Sequence, residues 1–185
     1  MQRLTLLPLL ALAACAGPPP KVAEGPSAAR PELERKAARI VPERRFAHVD
    51  YLLVDKSERL MIGYAAGQPV KVWRGLQFGD QPQGHKRFAG DERTPEGRYY
   101  IEGRNPRSAY HLSLKISYPN AADRAYAAQY GRSPGGDIFL HGQPNGLPFG
   151  RLPGDWTDGC IALANDEIEE LWRIVPDGTV IEIRP

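Results

Sequence analysis

At 185 residues the chain has room for one ordinary domain and a tail. Its 42% apolar and 25% charged content is that of a globular protein, and a net charge of +2 is too small to argue for a nucleic-acid partner. Abundant glycine (19) and proline (18) favour a loop-rich, strand-dominated fold over a helical bundle. Beyond the first residues, no apolar run approaches the roughly 18 residues that a membrane-spanning helix needs.

The amino terminus reads as an export signal. Met1-Gln2-Arg3 is a short basic leader, and Leu4 to Ala14 is an apolar stretch. Leu12-Ala13-Ala14-Cys15 resembles a bacterial lipobox, which implies cleavage before Cys15 and lipidation of its thiol. Residues 1–15 are thus expected to be a lipoprotein signal peptide. Two or more acyl chains hold a protein stably, so the membrane is contacted through this lipid alone. Ala16, in place of an aspartate, points by analogy with enterobacterial lipoproteins to the periplasmic face of the outer membrane. An ordinary signal peptide with an incidental Cys15 is the alternative. Residues 16–45, opening Gly17-Pro18-Pro19-Pro20, read as a flexible tether, with a short helix over Pro31 to Ile40.

From residue 46 to 185 the pattern is that of a folded domain. Ala47 to Asp55, Arg59 to Tyr64 and Pro69 to Leu76 predict three strands in successive antiparallel hairpins. The Gly-rich stretch from Gly79 to Gly97 suits turns and surface loops. Arg98 to Gly103 and Ser113 to Tyr118 predict further strands, Asn120 to Tyr130 a helix, and Asp137 to His141 a buried strand. Asn165 to Val175 is the clearest helix, with Asn165 or Asp166 as its cap and Ile168, Leu171, Trp172 and Val175 as its apolar stripe. Thr179 to Ile183 closes a mostly β domain with one or two short helices.

The chemistry centres on His141 and Cys160. His141 ends an apolar strand, and Cys160 lies between Gly159 and a second apolar run. Once Cys15 carries lipid, Cys160 has no disulfide partner, and a leftover thiol in an exported protein is a candidate nucleophile. Gly159 lets the backbone turn sharply, so that the N–H groups of Gly159 and Cys160 can face a developing oxyanion. His141 is the candidate base, and the sequence obliges no carboxylate to orient it, leaving the Gly142 carbonyl as substitute. Thr157 is a candidate for a hydrogen bond near the base. A metal site recruiting His111, His141, Cys160 and an aspartate lacks any close ligand pair such as His-x-x-x-His, so neither metal nor cofactor is expected.

Ile138-Phe139-Leu140-His141-Gly142, followed by Thr157-Asp158-Gly159-Cys160-Ile161-Ala162-Leu163, resembles the catalytic signature of the L,D-transpeptidase (YkuD-type) domain. Gly90-Asp91-Glu92-Arg93-Thr94-Pro95-Glu96-Gly97-Arg98-Tyr99 matches that family's recurrent upstream segment. His111 to Asn120 resembles the branch with murein-processing and lipoprotein-releasing members. The resemblance implies a β-sandwich-like catalytic domain over 46–185. It further implies a Cys160/His141 acyl transfer on peptidoglycan stem peptides at diaminopimelate, in cell-wall cross-linking or remodelling. Hydrolysis by the same pair, as a carboxypeptidase or in releasing peptidoglycan-bound protein, is the alternative, and a non-catalytic peptidoglycan-binding lipoprotein is a second. His111, Asp158, Trp156 and Arg132 are candidates for substrate contact, and no protein partner is indicated. The chain departs from the family at two positions. Transpeptidase members usually carry arginine where Ala162 stands, and many carry histidine where Asp158 stands.

Overall fold

The computed structural model describes residues 48–147 and 149–185, so the signal segment, Cys15, the tether and the expected helix over 31–40 lie outside the described residues. The fold is mostly β, with eight strands and two helices among the described residues. In chain order these are β1 (Tyr51–Asp55), β2 (Leu60–Ala65), β3 (Gln68–Arg74), β4 (Gly97–Ser108), β5 (His111–Ile116), α1 (Ala121–Gln129), β6 (Phe139–His141), β7 (Ile161–Ala162), α2 (Asn165–Ile174) and β8 (Val180–Arg184).

The strands hydrogen-bond in the order β3-β2-β1-β8-β4-β5-β6-β7. The first three form the expected antiparallel hairpins. The sheet as a whole is mixed, because β8 joins β1 in parallel and β7 joins β6 in parallel. Long-range pairing of this kind leaves no local sequence signal. β4 is twice as long as its apolar pattern suggests and serves two neighbours. Its Gly97–Tyr100 half pairs with β8, while Ile101 to Ser108 pairs with β5 through two register shifts. A bulged strand bends, which lets β4 carry the chain from the hairpin side of the sheet to the side that bears His141.

The larger of two apolar clusters lies between the sheet and α2, the smaller being Leu53, Leu60 and Ile62 among the first three strands. Val54, Met61, Trp73, Ile101, Leu114, Leu140, Ile161 and Ile183 meet Ile168, Leu171 and Val175 from the helix stripe there. Trp172 is only half-buried at the edge of that stripe. The N-cap of α2 is Ala164, not Asn165 or Asp166 as the pattern suggests. The Asn165 side chain is used elsewhere, its Oδ1 accepting the Gln143 N–H at 2.8 Å, and Glu167 reaches back to the Ala164 N–H at 3.0 Å. In α1, by contrast, Asn120 caps as expected. Its Oδ1 accepts from Ala122 and Asp123, and the Asp123 carboxylate returns to the Asn120 N–H.

Candidate active site

Strand register brings the two chemical residues together. In the parallel β6–β7 pair, His141 lies opposite Ala162, and Cys160 is two residues before Ala162. Side chains two apart on an extended chain share a face, so Cys160 and His141 emerge on the same side. Ser113 lies opposite His141, and Asn105 opposite Ser113. The result is a row across four strands: Asn105, Ser113, His141 and Cys160. All four line a cleft of about 280 Å³, together with Ser108, Ala109, Tyr110, Asp137 and Phe139. Asn105, Ser113 and Tyr110 carry no sequence signature of their own, since only the pairing of β4, β5 and β6 turns them into neighbours of His141.

The His141 ring is almost wholly buried, at 3% exposure. Its Nδ1 lies 2.6 Å from the Gly142 carbonyl oxygen. A carbonyl only accepts, so in the neutral ring Nδ1 carries the proton and Nε2 keeps its lone pair. Burial pushes the His141 pKa below the ordinary imidazole value, and the Gly142 bond opposes this only in part. The imidazole is thus neutral, in one tautomer, and oriented by a backbone oxygen. Gly142 has to be glycine because a Cβ there would meet Asn165 Oδ1 at 2.6 Å and the His111 Cβ at 2.9 Å.

Two aromatic rings pack against the imidazole. Tyr110, in the two-residue turn between β4 and β5, lies over it with ring centroids 4.7 Å apart and planes at 33°. Trp156 meets the same ring edge-on at 5.6 Å and also packs on Tyr110. Trp156 therefore contacts the base rather than lining the cleft.

Cys160 is half-buried, with Sγ 3.5 Å from the Asp137 carbonyl oxygen, which the thiol proton can reach. Burial pushes its pKa up to about 11. The charges of Asp158 and Asp137 add to that rise, while a backbone bond from Phe139 and the Lys86 ammonium pull the other way. At neutral pH the resting pair is a thiol beside a neutral imidazole, not an ion pair.

The turn before Cys160 is braced from within and below. Thr157 Oγ1 donates to the Cys160 carbonyl at 2.8 Å and accepts the Gly159 N–H at 3.2 Å. Thr157 thus closes the nucleophile turn instead of bonding near the base, and the Gly159 N–H is already engaged. Gly159 has φ +129, and a Cβ on it would lie 2.5 Å from the Arg93 carbonyl oxygen. Gly159→Ala is expected to destabilise the fold by about 1–3 kcal/mol through backbone strain and this clash. It should also lower turnover far more than Gly90→Ala, whose Cβ meets nothing within 4 Å. Thermal unfolding and initial rates of the two variants check this.

The Gly79–Gly97 stretch is partly a buried brace and not wholly a surface loop. Lys86, Thr94 and Pro95 are buried. Lys86 Nζ bonds Asp91 at 2.9 Å and reaches the Asp158 carbonyl at 3.4 Å. Asp91 also takes the N–H groups of Arg87, Phe88 and Arg93; although burial opposes it, these bonds hold its carboxyl below the usual range. His85, for which the sequence offers no role, accepts the Glu96 N–H on Nδ1 and bonds Asp123 through Nε2, tying this stretch to α1.

The remaining sequence candidates fall outside the cleft lining. The His111 ring reaches Glu169 at 2.8 Å, away from Cys160. Asp158 points an exposed side chain outward and meets Lys86 only through its carbonyl. Arg132 stacks on Phe88 at 3.9 Å. Ala162 is fully buried and backbone-bonded to Gln77 in both directions, so this position can offer a substrate no charge. Among the described residues no cluster of His, Cys, Asp and Glu side chains suits a metal ion.

Residues 49–183 match the family model described as YkuD, the L,D-transpeptidase catalytic domain, and the chain belongs to that family. It is similar to YafK of Escherichia coli (strain K12), a provisionally named L,D-transpeptidase, at 29% identity over 52% of this chain and 34% of YafK. Among solved structures it resembles the helical cell shape determining protein Pgp2 from Campylobacter jejuni, at TM-score 0.57 and 25% identity, covering 82% of this chain and 54% of Pgp2. It also resembles Bd1075 of Bdellovibrio bacteriovorus, at TM-score 0.50 and 28% identity, covering 78% of this chain and 50% of that one. The chain therefore spans about a third to a half of the length of these relatives.

Proposed function

We propose that Cys160 and His141 carry out acyl transfer on peptidoglycan stem peptides, cutting at diaminopimelate and passing the acyl group to an amine. The observation that carries this reading is the neutral His141, its Nδ1 proton committed to Gly142, in one cleft with the protonated thiol of Cys160. Membership of the L,D-transpeptidase family supports the substrate class. Relatedness to a cell shape determining protein supports a part in wall remodelling. Lipid on Cys15 would hold the domain at the envelope.

With the thiol pKa at about 11, proton transfer accompanies attack. Sγ bonds to the peptide carbonyl carbon while its proton passes to His141 Nε2. The oxyanion falls to the Cys160 N–H, since that of Gly159 is spent on Thr157. Collapse breaks the C–N bond, the imidazolium protonates the departing amine, and a thioester remains. An incoming amine, deprotonated by His141, displaces Sγ and restores the thiol.

Mass spectrometry of muropeptides incubated with the purified chain tests this. New cross-linked species are the expected result. Shortened stems without cross-links would replace the amine acceptor by water. Unchanged muropeptides would overturn the reading.

A further inference from the structure

Around the end of α1, three aromatic rings form a cluster that the chemistry above does not use. Tyr126 and Tyr130 come from the end of α1, with ring centroids 5.0 Å apart, and Phe88 packs against them at 6.0 and 5.7 Å. Tyr130 is 58% exposed. Two guanidinium groups sit over this cluster: Arg132 over Phe88 at 3.9 Å, and Arg87 over Tyr126 at 4.3 Å. Neither pairs with a carboxylate among the described residues. The two acids of the region are turned inward, Asp91 onto Lys86 and Asp123 onto His85 and Tyr99. The surface therefore offers one exposed tyrosine ring and two guanidiniums with no carboxylate partner among the described residues, a combination that can receive the C–H face of a ring and carboxylates together.

Its separation from the cleft is bounded by the chain. Arg132 and the cleft residue Asp137 are five positions apart, so the chain allows at most roughly 18 Å between them. The connecting loop is held to the Phe88 side by the Ala89 N–H on the Ser133 carbonyl at 2.9 Å. A peptide bound in the cleft that is still attached to a polymer must lead that polymer across neighbouring surface. The two cations are charge-complementary to peptide carboxylates, and the exposed Tyr130 ring suits the C–H face of a sugar, which together favour a polymer bearing both.

We infer that Phe88, Tyr126 and Tyr130, with Arg87 and Arg132, form a docking surface for the glycan strand that carries the substrate stem. The strand's sugar rings lie against Tyr130, the exposed ring, and the carboxylates of adjacent stems meet the two guanidiniums. This rests on the function proposed above. It adds that the enzyme distinguishes polymer from free peptide outside the cleft.

The test compares the full chain, in detergent, with Arg87→Gln/Arg132→Gln, Arg87→Glu/Arg132→Glu and Tyr130→Ser, using purified sacculi and a soluble stem peptide. The expected result is about a five- to tenfold rise in apparent KM on sacculi for the Gln pair and more for the Glu pair. Rates on the soluble peptide should stay within about twofold, and added salt should narrow the gap on sacculi. Digesting the glycan to disaccharide units should abolish the difference. Variants equal to wild type on sacculi at low salt would overturn the inference, as would equal losses on polymer and free peptide, which would mark damage to the cleft. A wild-type chain that pellets with sacculi through this surface yet turns over neither substrate would instead sink the acyl-transfer reading alone.

Discussion

Replacing Cys160 by alanine is expected to remove turnover by about 10⁴-fold or more, because the other nucleophiles on the cleft wall, the hydroxyls of Ser108, Tyr110 and Ser113, are far poorer than a thiol. The described residues hold no second cysteine. The same variant should lose all covalent labelling by a carbapenem used as an acylating probe, read as the disappearance of the mass adduct. The turn itself should survive, since Thr157 bonds the Cys160 carbonyl and not its side chain. Turnover or a mass adduct persisting in a folded Cys160→Ala protein would remove Cys160 from the chemistry. Cys160→Ser should fail nearly as completely, as a hydroxyl is a far poorer nucleophile than a thiol beside a neutral imidazole.

His141→Gln should lower the rate about 10²- to 10⁴-fold at neutral pH, the usual scale for a lost general base. The pH profile carries the sharper expectation. In the wild type the acid limb reports protonation of His141. Because burial lowers that pKa, activity should persist below the ordinary imidazole value of 6.5 before it falls. Only the neutral ring can take the thiol proton, so the loss runs with falling pH. In the Gln variant the thiol must ionise by itself, and its pKa is about 11. The residual rate should then climb roughly tenfold per pH unit towards that value, while the wild type stays flat across the neutral range. A Gln variant with a flat profile would show that His141 is not the base.

The architecture was legible in part because some elements rest on local signals. The hairpins of β1, β2 and β3 follow alternating residues broken by turn formers, and α2 follows an apolar stripe with acids in its first turn. β7 was not legible. Two residues make no pattern, and Ile161–Ala162 is a strand only because β6 runs parallel to it. The Gly79–Gly97 stretch misled for a related reason. Its composition suits turns, but composition does not reveal that Lys86 and Thr94 are buried beneath the nucleophile turn.

The site divides along the same line. Reactive residue types flanked by glycine are visible in one dimension, so His141, Cys160, Gly142 and Gly159 could be singled out from the chain alone. The residues that tune them could not. Tyr110 over the imidazole, Trp156 at its edge, and Lys86 beside the Asp158 carbonyl are each distant in sequence from what they touch. For the same reason His111, Arg132 and Asp158 were plausible as residue types but lie off the cleft wall. By itself the sequence determined the candidate pair, the glycines beside it and the mostly β pattern, because residue chemistry and period-two alternation are local properties. Only the tertiary structure decided that no carboxylate among the described residues reaches the imidazole in place of the Gly142 carbonyl, that the thiol rests protonated, and which rings wall the cleft. Those depend on strand register and on burial, and both arise when distant segments meet.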